Sequence, residues 1–228
     1  MPAFPCTIDT LIIGAGAAGL AAARRLQAAG QAVLVLEAAP RVGGRAWTDT
    51  TTFSAPIGRG CGWLHQADRN PFTPMARTMG ASLLPHDDAP WHLYTNGQRL
   101  PPHEETQALD AVDTLAQRID AHRGADAALS TLTDPSLWAE RWASETLGPL
   151  DAGADSRQLS IHGLQQHGTT RPNWLVREGF GTVVASLAQG VPVALGERVR
   201  EIDSRGPRVR VQTTGGTVEA RDCIVTVS

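Results

Sequence analysis

Between Gly14 and Arg45 the sequence GAGAAGLAAARRLQAAGQAVLVLEAAPRVGGR sets two glycine-rich turns around one helix and one strand. Residues 7 to 13 (TIDTLII) lead into it as a short apolar run that stops abruptly at Gly14, the pattern of a buried parallel strand. The alanines and leucines after the first turn favour helix, Arg24 and Arg25 mark a wet face, and Gly30 sits where a helix ends. AVLVLE, residues 32 to 37, then reads as a second buried strand. Together these make a βαβ unit of about 30 residues with short connections, which commits the chain to an α/β fold with a central parallel sheet.

The glycines carry more than fold. Gly14, Gly16 and Gly19 form G-x-G-x-x-G between a strand and a helix, the setting in which that pattern indicates a dinucleotide. The first glycine permits a tight turn, the second removes a Cβ that would collide with a pyrophosphate, and the third lets helix and strand pack closely. Free amides and the positive end of the helix dipole then face the phosphates. Glu37 ends the second strand and has the reach to accept hydrogen bonds from both ribose hydroxyls; a carboxylate there repels a 2'-phosphate, which disfavours NADP. Arg41-Val42-Gly43-Gly44-Arg45 follows almost at once. A second glycine pair with a fixed cation, Arg45, suits a long dinucleotide lying extended across the domain and points to FAD rather than NAD. The alternative for this second turn is a solvated loop with a surface arginine.

The chain has 228 residues, 42% of them hydrophobic, a net charge of -3 and a pI near 6.1. This length makes one large domain or two small ones. No basic field is present to draw nucleic acid or an acidic membrane, and no apolar run reaches spanning length. The N-terminus enters its first strand too soon to hold a cleavable leader, so the expected location is the cytoplasm. Cys6, Cys61 and Cys223 are far apart with no C-x-x-C spacing, which signals neither a disulfide framework nor a metal site. All 20 basic residues are arginine. No lysine from this chain serves as a base or Schiff-base former.

Residues 40 to 70 are rich in Gly, Thr and Pro, and a short helix is expected from Pro71 to Met79. Residues 81 to 172 change character. WHLYTNGQRL predicts a hairpin about Asn96-Gly97, followed by helices over 103–122, 136–147 and 156–167. Asp134-Pro135 reads as the N-cap and first position of the second of these. Beyond Pro172, EGFGTVVASLAQG reads as helix, VPVAL and ERVREID as strands, RVRVQTTGGTVEA as a hairpin and CIVTVS as a buried strand.

GAGAAGLAAARRL, Glu37 and RVGGR together resemble the flavin-binding region of the flavin amine oxidase family, which includes monoamine, polyamine and L-amino acid oxidases. The resemblance resumes in GCGWLHQADRNP, REGFGTVVASLAQ and GERVREID. It implies a Rossmann-like FAD-binding domain from 1–80 and 173–228, with a central parallel sheet and an added hairpin. Residues 81–172 become an inserted, mainly helical part of a substrate or lid region. It also implies roles. Gly14, Gly16 and Gly19 hold the pyrophosphate, Glu37 the adenosine ribose, Arg45 the phosphates, and the Val199 backbone the adenine. Gly60, Gly62 and Trp63 run beside the isoalloxazine ring, although core packing accounts for Trp63 equally well.

The activity implied is oxidation of a CH–NH group in an amine or amino acid, with a hydride equivalent passed to flavin and O2 as reoxidant. This sequence departs from the family pattern at Gly58 and Arg59, where an acid and an aliphatic residue are usual. Cys61 reads as a small buried hydrophobe and His65 as a structural histidine without a paired acid. His162 and His167 make a poor metal pair, and Trp138 and Trp142 share a helix face as core residues do. The family's main substrate sheet, its lysine and its C-terminal glycine-rich flavin segment match nothing here, so a C-terminal half or companion subunit is the expected partner. Two alternatives remain at this point: a truncated flavin-binding module without catalysis, and a related flavin desaturase or protoporphyrinogen oxidase.

Overall fold

The computed structural model describes residues 8–87, 90–168 and 170–227. The chain divides into two compact units, residues 1–87 with 171–228 and residues 88–170. Cys6, Thr7 and Ser228 lie outside the described residues.

The first unit opens with β1 (Thr10–Ile13), α1 (Ala17–Ala28) and β2 (Val33–Glu37). Short elements follow: β3 (Thr48–Asp49), β4 (Ile57–Gly58), β5 (Trp63–Leu64), α2 (Phe72–Thr78) and β6 (Leu83–Pro85). The second unit holds β7 (Tyr94–Thr95), β8 (Gln98–Arg99), α3 (Pro102–Ala121), α4 (Trp138–Glu145) and α5 (Ile161–His167). The chain then returns to the first unit with β9 (Trp174–Val176), α6 (Phe180–Ser186), β10 (Val193–Leu195), β11 (Val199–Asp203), β12 (Val209–Thr213), β13 (Thr217–Ala220) and β14 (Asp222–Val225).

The central sheet has four parallel strands in the order β10-β2-β1-β14. Alternate residues face opposite ways, and both faces are covered. Leu11, Ile13, Leu34 and Leu36 meet Val211, Val218 and Ala220 of the β12–β13 hairpin on one side. Ile12, Val33 and Val35 meet Leu20 and Ala23 of α1 together with Leu187 on the other. That two-sided burial is why the central strands β1 and β2 read as unbroken apolar runs, whereas the edge strands β10 and β14 are partly exposed. Each such buried side chain contributes about 1.5–3 kcal/mol, whereas helix propensities differ by under about 1 kcal/mol per residue, so packing rather than propensity fixes α1.

Three antiparallel sheets complete this unit among the described residues, β11-β12-β13, β5-β9-β6 and the two-stranded β3-β4. Residues 81–87 fall within it because β6 pairs with β9, Leu83 opposite Val176. Between residues 40 and 70, where the sequence shows no strand signal, three short strands form.

In the second unit the Asn96-Gly97 turn has positive φ at both positions (49° and 77°), as a two-residue hairpin requires. Glu105 is buried and takes both Nε and Nη2 of Arg99 at 3.0 and 2.8 Å plus the Leu93 amide, tying the hairpin to α3. Leu115, Ile119, Leu129, Ala143 and Ile161 form the core. Two helix starts differ from expectation. α4 begins at Trp138 with Leu137 as its cap, because Asp134 instead accepts the amide and hydroxyl of Ser136 in a turn. α5 begins at Ile161, set by the Ser160 hydroxyl accepting from the Gly163 amide at 2.8 Å. After α4, residues Thr146–Ala152 continue as a π-helical turn.

Candidate cofactor-binding site

The parallel register sets Ile13 beside Leu36, so the turn after β1 emerges next to the tip of β2. The Gly14 amide donates to the Leu36 carbonyl at 2.8 Å. The three glycines of this turn meet different surroundings. Gly14 has φ of +102°, and a Cβ there would press on Val227 and Thr226. A Cβ on Gly19 would overlap the Gly14 carbonyl, which is the close approach of helix to strand. A Cβ on Gly16 would meet nothing within 4 Å, and Gly16 is the uncapped N-terminus of α1. The space beside Gly16 is open, and the amides around it suit an anion.

Glu37 closes the other side. Its carboxylate accepts the Ala15 amide at 2.7 Å and the Ala39 amide at 2.8 Å, so it holds the glycine turn as well as ending β2. An ionised carboxylate offers about four acceptor positions, which leaves room for ribose hydroxyls. β10 runs beside β2 with Leu195 opposite Glu37, and the Glu197 amide donates to the Glu37 carbonyl at 2.9 Å. Val199, two residues on, begins β11 next to a register shift. Residues far apart in sequence thus meet at one tip of the sheet.

The second turn docks on the first. Gly43 bridges to Gly16, its amide donates to the Ala15 carbonyl at 2.8 Å, and both Gly43 and Gly44 need positive φ (101° and 57°). Arg45 is exposed at the end of this turn and forms no ion pair among the described residues. A Cβ on Gly60 would overlap the Arg45 carbonyl, to which the Cys61 amide donates at 3.2 Å, while Gly62 faces open space. Around this turn the Arg41 and Arg59 guanidiniums lie 4.6 and 4.7 Å from the Trp47 ring centre. Arg59, where the family pattern carries an aliphatic residue, pairs with Asp49 at 3.3 Å. Hydrogen bonds from Thr52 and Thr51 hold the Asp49 carboxyl far below the usual carboxylate range.

Trp63 is 45% exposed, so it is not core; its ring stacks on His65 at 6.2 Å and tilts against His86 at 5.8 Å. Cys61 is exposed rather than buried. Desolvation of its thiol nonetheless raises its pKa, against the pull of the Arg45 charge, which leaves it a poor nucleophile. His65 has a partner that spacing did not reveal. Its Nδ1 lies 2.6 Å from Asn173 Oδ1, and Asp87 accepts from Asn173 through both its side-chain amide at 2.8 Å and its backbone amide at 2.9 Å. Asp87 accepts only, so the NH2 of Asn173 must face it and the oxygen must face His65. This network assigns the proton of neutral His65 to Nδ1 and leaves Nε2 as an acceptor. His162, by contrast, is bonded to the Gly124 carbonyl at 3.1 Å.

A family model described as flavin containing amine oxidoreductase matches residues 17–142 and 92–228. The chain belongs to this family. FAD is the cofactor that membership assigns, and the open space at Gly16, the amides around it and Glu37 fit that group. Probable polyamine oxidase 4 of Arabidopsis thaliana is 29% identical over 95% of the chain, which spans 49% of that relative. Lysine-specific histone demethylase 1B of Mus musculus is 27% identical over 96% of the chain and 30% of its own length. A putrescine oxidase double-mutant structure superposes with a TM-score of 0.66 at 23% identity, covering 97% of this chain and 58% of that one, which supports the fold. This amine oxidoreductase chain therefore spans about half the length of the polyamine oxidases it matches. No helix among the described residues is long and apolar enough to cross a membrane.

Proposed function

We propose that this chain supplies the FAD site and part of the substrate region of an amine oxidase acting on an aliphatic di- or polyamine. The amine class is supported by the names of its relatives, polyamine oxidases and a putrescine oxidase. Bound FAD would supply the two-electron chemistry for oxidising the carbon beside nitrogen, with O2 as the final acceptor. The chain's own residues do the rest. Gly14, Gly16, Gly19 and the Gly43-Gly44 turn admit the diphosphate, Arg45 neutralises it, and Glu37 and Val199 hold the adenosine end.

The observation that carries the amine reading is the His65–Asn173–Asp87 chain. With its Nδ1 proton held by Asn173, His65 offers an Nε2 lone pair that accepts an N–H from a cationic or neutral amine and orients its nitrogen. Asn173 and Asp87 act through His65 as positioning residues. The reading takes the active assembly to include the region its relatives have beyond the matched half, whether continuous with this chain or a companion subunit, and to work in the cytoplasm.

The test supplies that region, reconstitutes with FAD and follows peroxide release over a panel of diamines, polyamines and amino acids. The expected result is yellow protein that turns over di- or polyamines, with Asp87→Leu shifting the pH profile of kcat/KM and Asn173→Leu doing the same. Colourless protein after reconstitution refutes the flavin site. Turnover with unshifted profiles in both variants refutes the role given to the His65 chain.

A further inference from the structure

We propose that Trp47, gripped by the Arg41 and Arg59 guanidiniums, is the positioning residue that holds the second glycine turn against the first before the diphosphate arrives. The proposal rests on the flavin reading of the cradle and extends it to three side chains with no role so far.

The turn needs such a device. Gly43 and Gly44 are consecutive and both sit in the left-handed region, and a glycine pair is the segment that loses most backbone freedom on being fixed. Arg41 stands two residues before the pair and Trp47 three after it, so their contact at 4.6 Å closes the loop by its ends. Arg59, just after β4, adds a third segment through its contact at 4.7 Å.

Backbone bonds follow the same path: Ala46 to the Gly43 carbonyl at 3.0 Å, Arg59 to the Trp47 carbonyl at 2.8 Å and Cys61 to the Arg45 carbonyl at 3.2 Å. Two guanidiniums on one indole repel each other, so each needs compensation. Asp49 supplies it for Arg59. Arg41 only donates to the Val42 carbonyl at 3.2 Å, and Arg45 beside it has no carboxylate among the described residues. The turn is thus held open by an aromatic face and left with positive charge to spare, which suits a diphosphate.

The experiment combines amide hydrogen exchange on the whole chain with FAD titration followed by flavin fluorescence. In Trp47→Leu the Gly43, Ala46 and Arg59 amides should exchange about tenfold faster, and the FAD dissociation constant should rise about tenfold, about 1.4 kcal/mol. The Val35 amide in the sheet should not change. Trp47→Phe keeps a π face and should restore most of both readouts. Where Trp47→Leu fails to fold, the double variant of Arg41→Met and Arg59→Met gives the same pair of measurements. Unchanged exchange and affinity in these variants, or a phenylalanine variant as defective as the leucine one, overturns the proposal. Wild-type chain that takes up no FAD sinks the flavin reading instead, and the exchange comparison still decides whether Trp47 sets the turn.

Discussion

Gly16 and Gly19 sit three residues apart on one motif, yet the structure gives alanine at each a different fate. At Gly16, φ is -80° and ψ -177°, which any residue adopts, and the added Cβ meets nothing within 4 Å. The unfolded chain loses freedom, worth about 0.4–1 kcal/mol in favour of folding. Alanine is a poorer helix cap than glycine by a similar amount, so the net change lies within about 1 kcal/mol. At Gly19 the Cβ overlaps a backbone carbonyl that has no side chain to swing aside, and overpacking of that kind costs about 1–3 kcal/mol. At roughly 2–4 °C per kcal/mol for a unit of this size, Gly16→Ala should melt within about 4 °C of wild type. Gly19→Ala should melt lower, by up to about 12 °C. FAD binding should reverse the attribution. In the proposed cradle a methyl at Gly16 would stand where the diphosphate passes, and an overpacking cost of about 1–3 kcal/mol would weaken FAD about 5- to 150-fold. Melting of the cofactor-free chain and fluorescence titration with FAD measure the two quantities separately. A Gly16→Ala protein that binds FAD like wild type would show that the diphosphate does not cross this turn.

Glu37→Gln should destabilise the chain even without cofactor. Glutamine presents one acceptor and one NH2 to two amide donors, so either Ala15 or Ala39 loses its bond, at about 1–3 kcal/mol; urea melts of cofactor-free protein that superpose on wild type refute this. In the second unit, the Arg99 side chain first and the Leu93 amide second lower the Glu105 pKa from 4.5 to about 2. A depressed folded-state pKa means that this stabilisation is complete above pH 4.5 and lost as pH falls through 2. Glu105→Gln should therefore flatten part of the acid-unfolding slope between pH 4.5 and 2, and an unchanged acid transition counts against the assignment. Asp155, lowered to about 2 by Arg157, titrates in the same window, so the slope should shrink rather than vanish.

What was legible in the sequence was local or strongly periodic. The βαβ unit, with its three glycines and Glu37, runs only from Thr10 to Glu37, and each apolar strand is long enough to show its burial on both faces. β3, β4 and β5 have two residues each, too few for any alternation to appear; β3 and β4 pair with each other, and β5 exists because a distant strand pairs with it, Trp63 with Leu175. Local signals also misled where a competing local bond won, as at Asp134, whose carboxylate was spent on Ser136. The Asn173 and Asp87 partners of His65 were out of reach because they lie 108 and 22 residues away in sequence. Only the β5-β9-β6 sheet brings them together.

Glu37 shows the subtler limit. Spacing identifies the carboxylate but not what it touches, and a residue read as a ribose ligand turns out first to be a clamp on the Ala15 and Ala39 amides. The two uses are compatible, since those amides take one bond on each carboxylate oxygen and leave the remaining lone pairs for hydroxyls. They also depend on each other. A carboxylate fixed by its own backbone presents those lone pairs without first losing side-chain freedom, so in the proposed site the bonds that close the glycine turn would also preorganise Glu37 for the sugar.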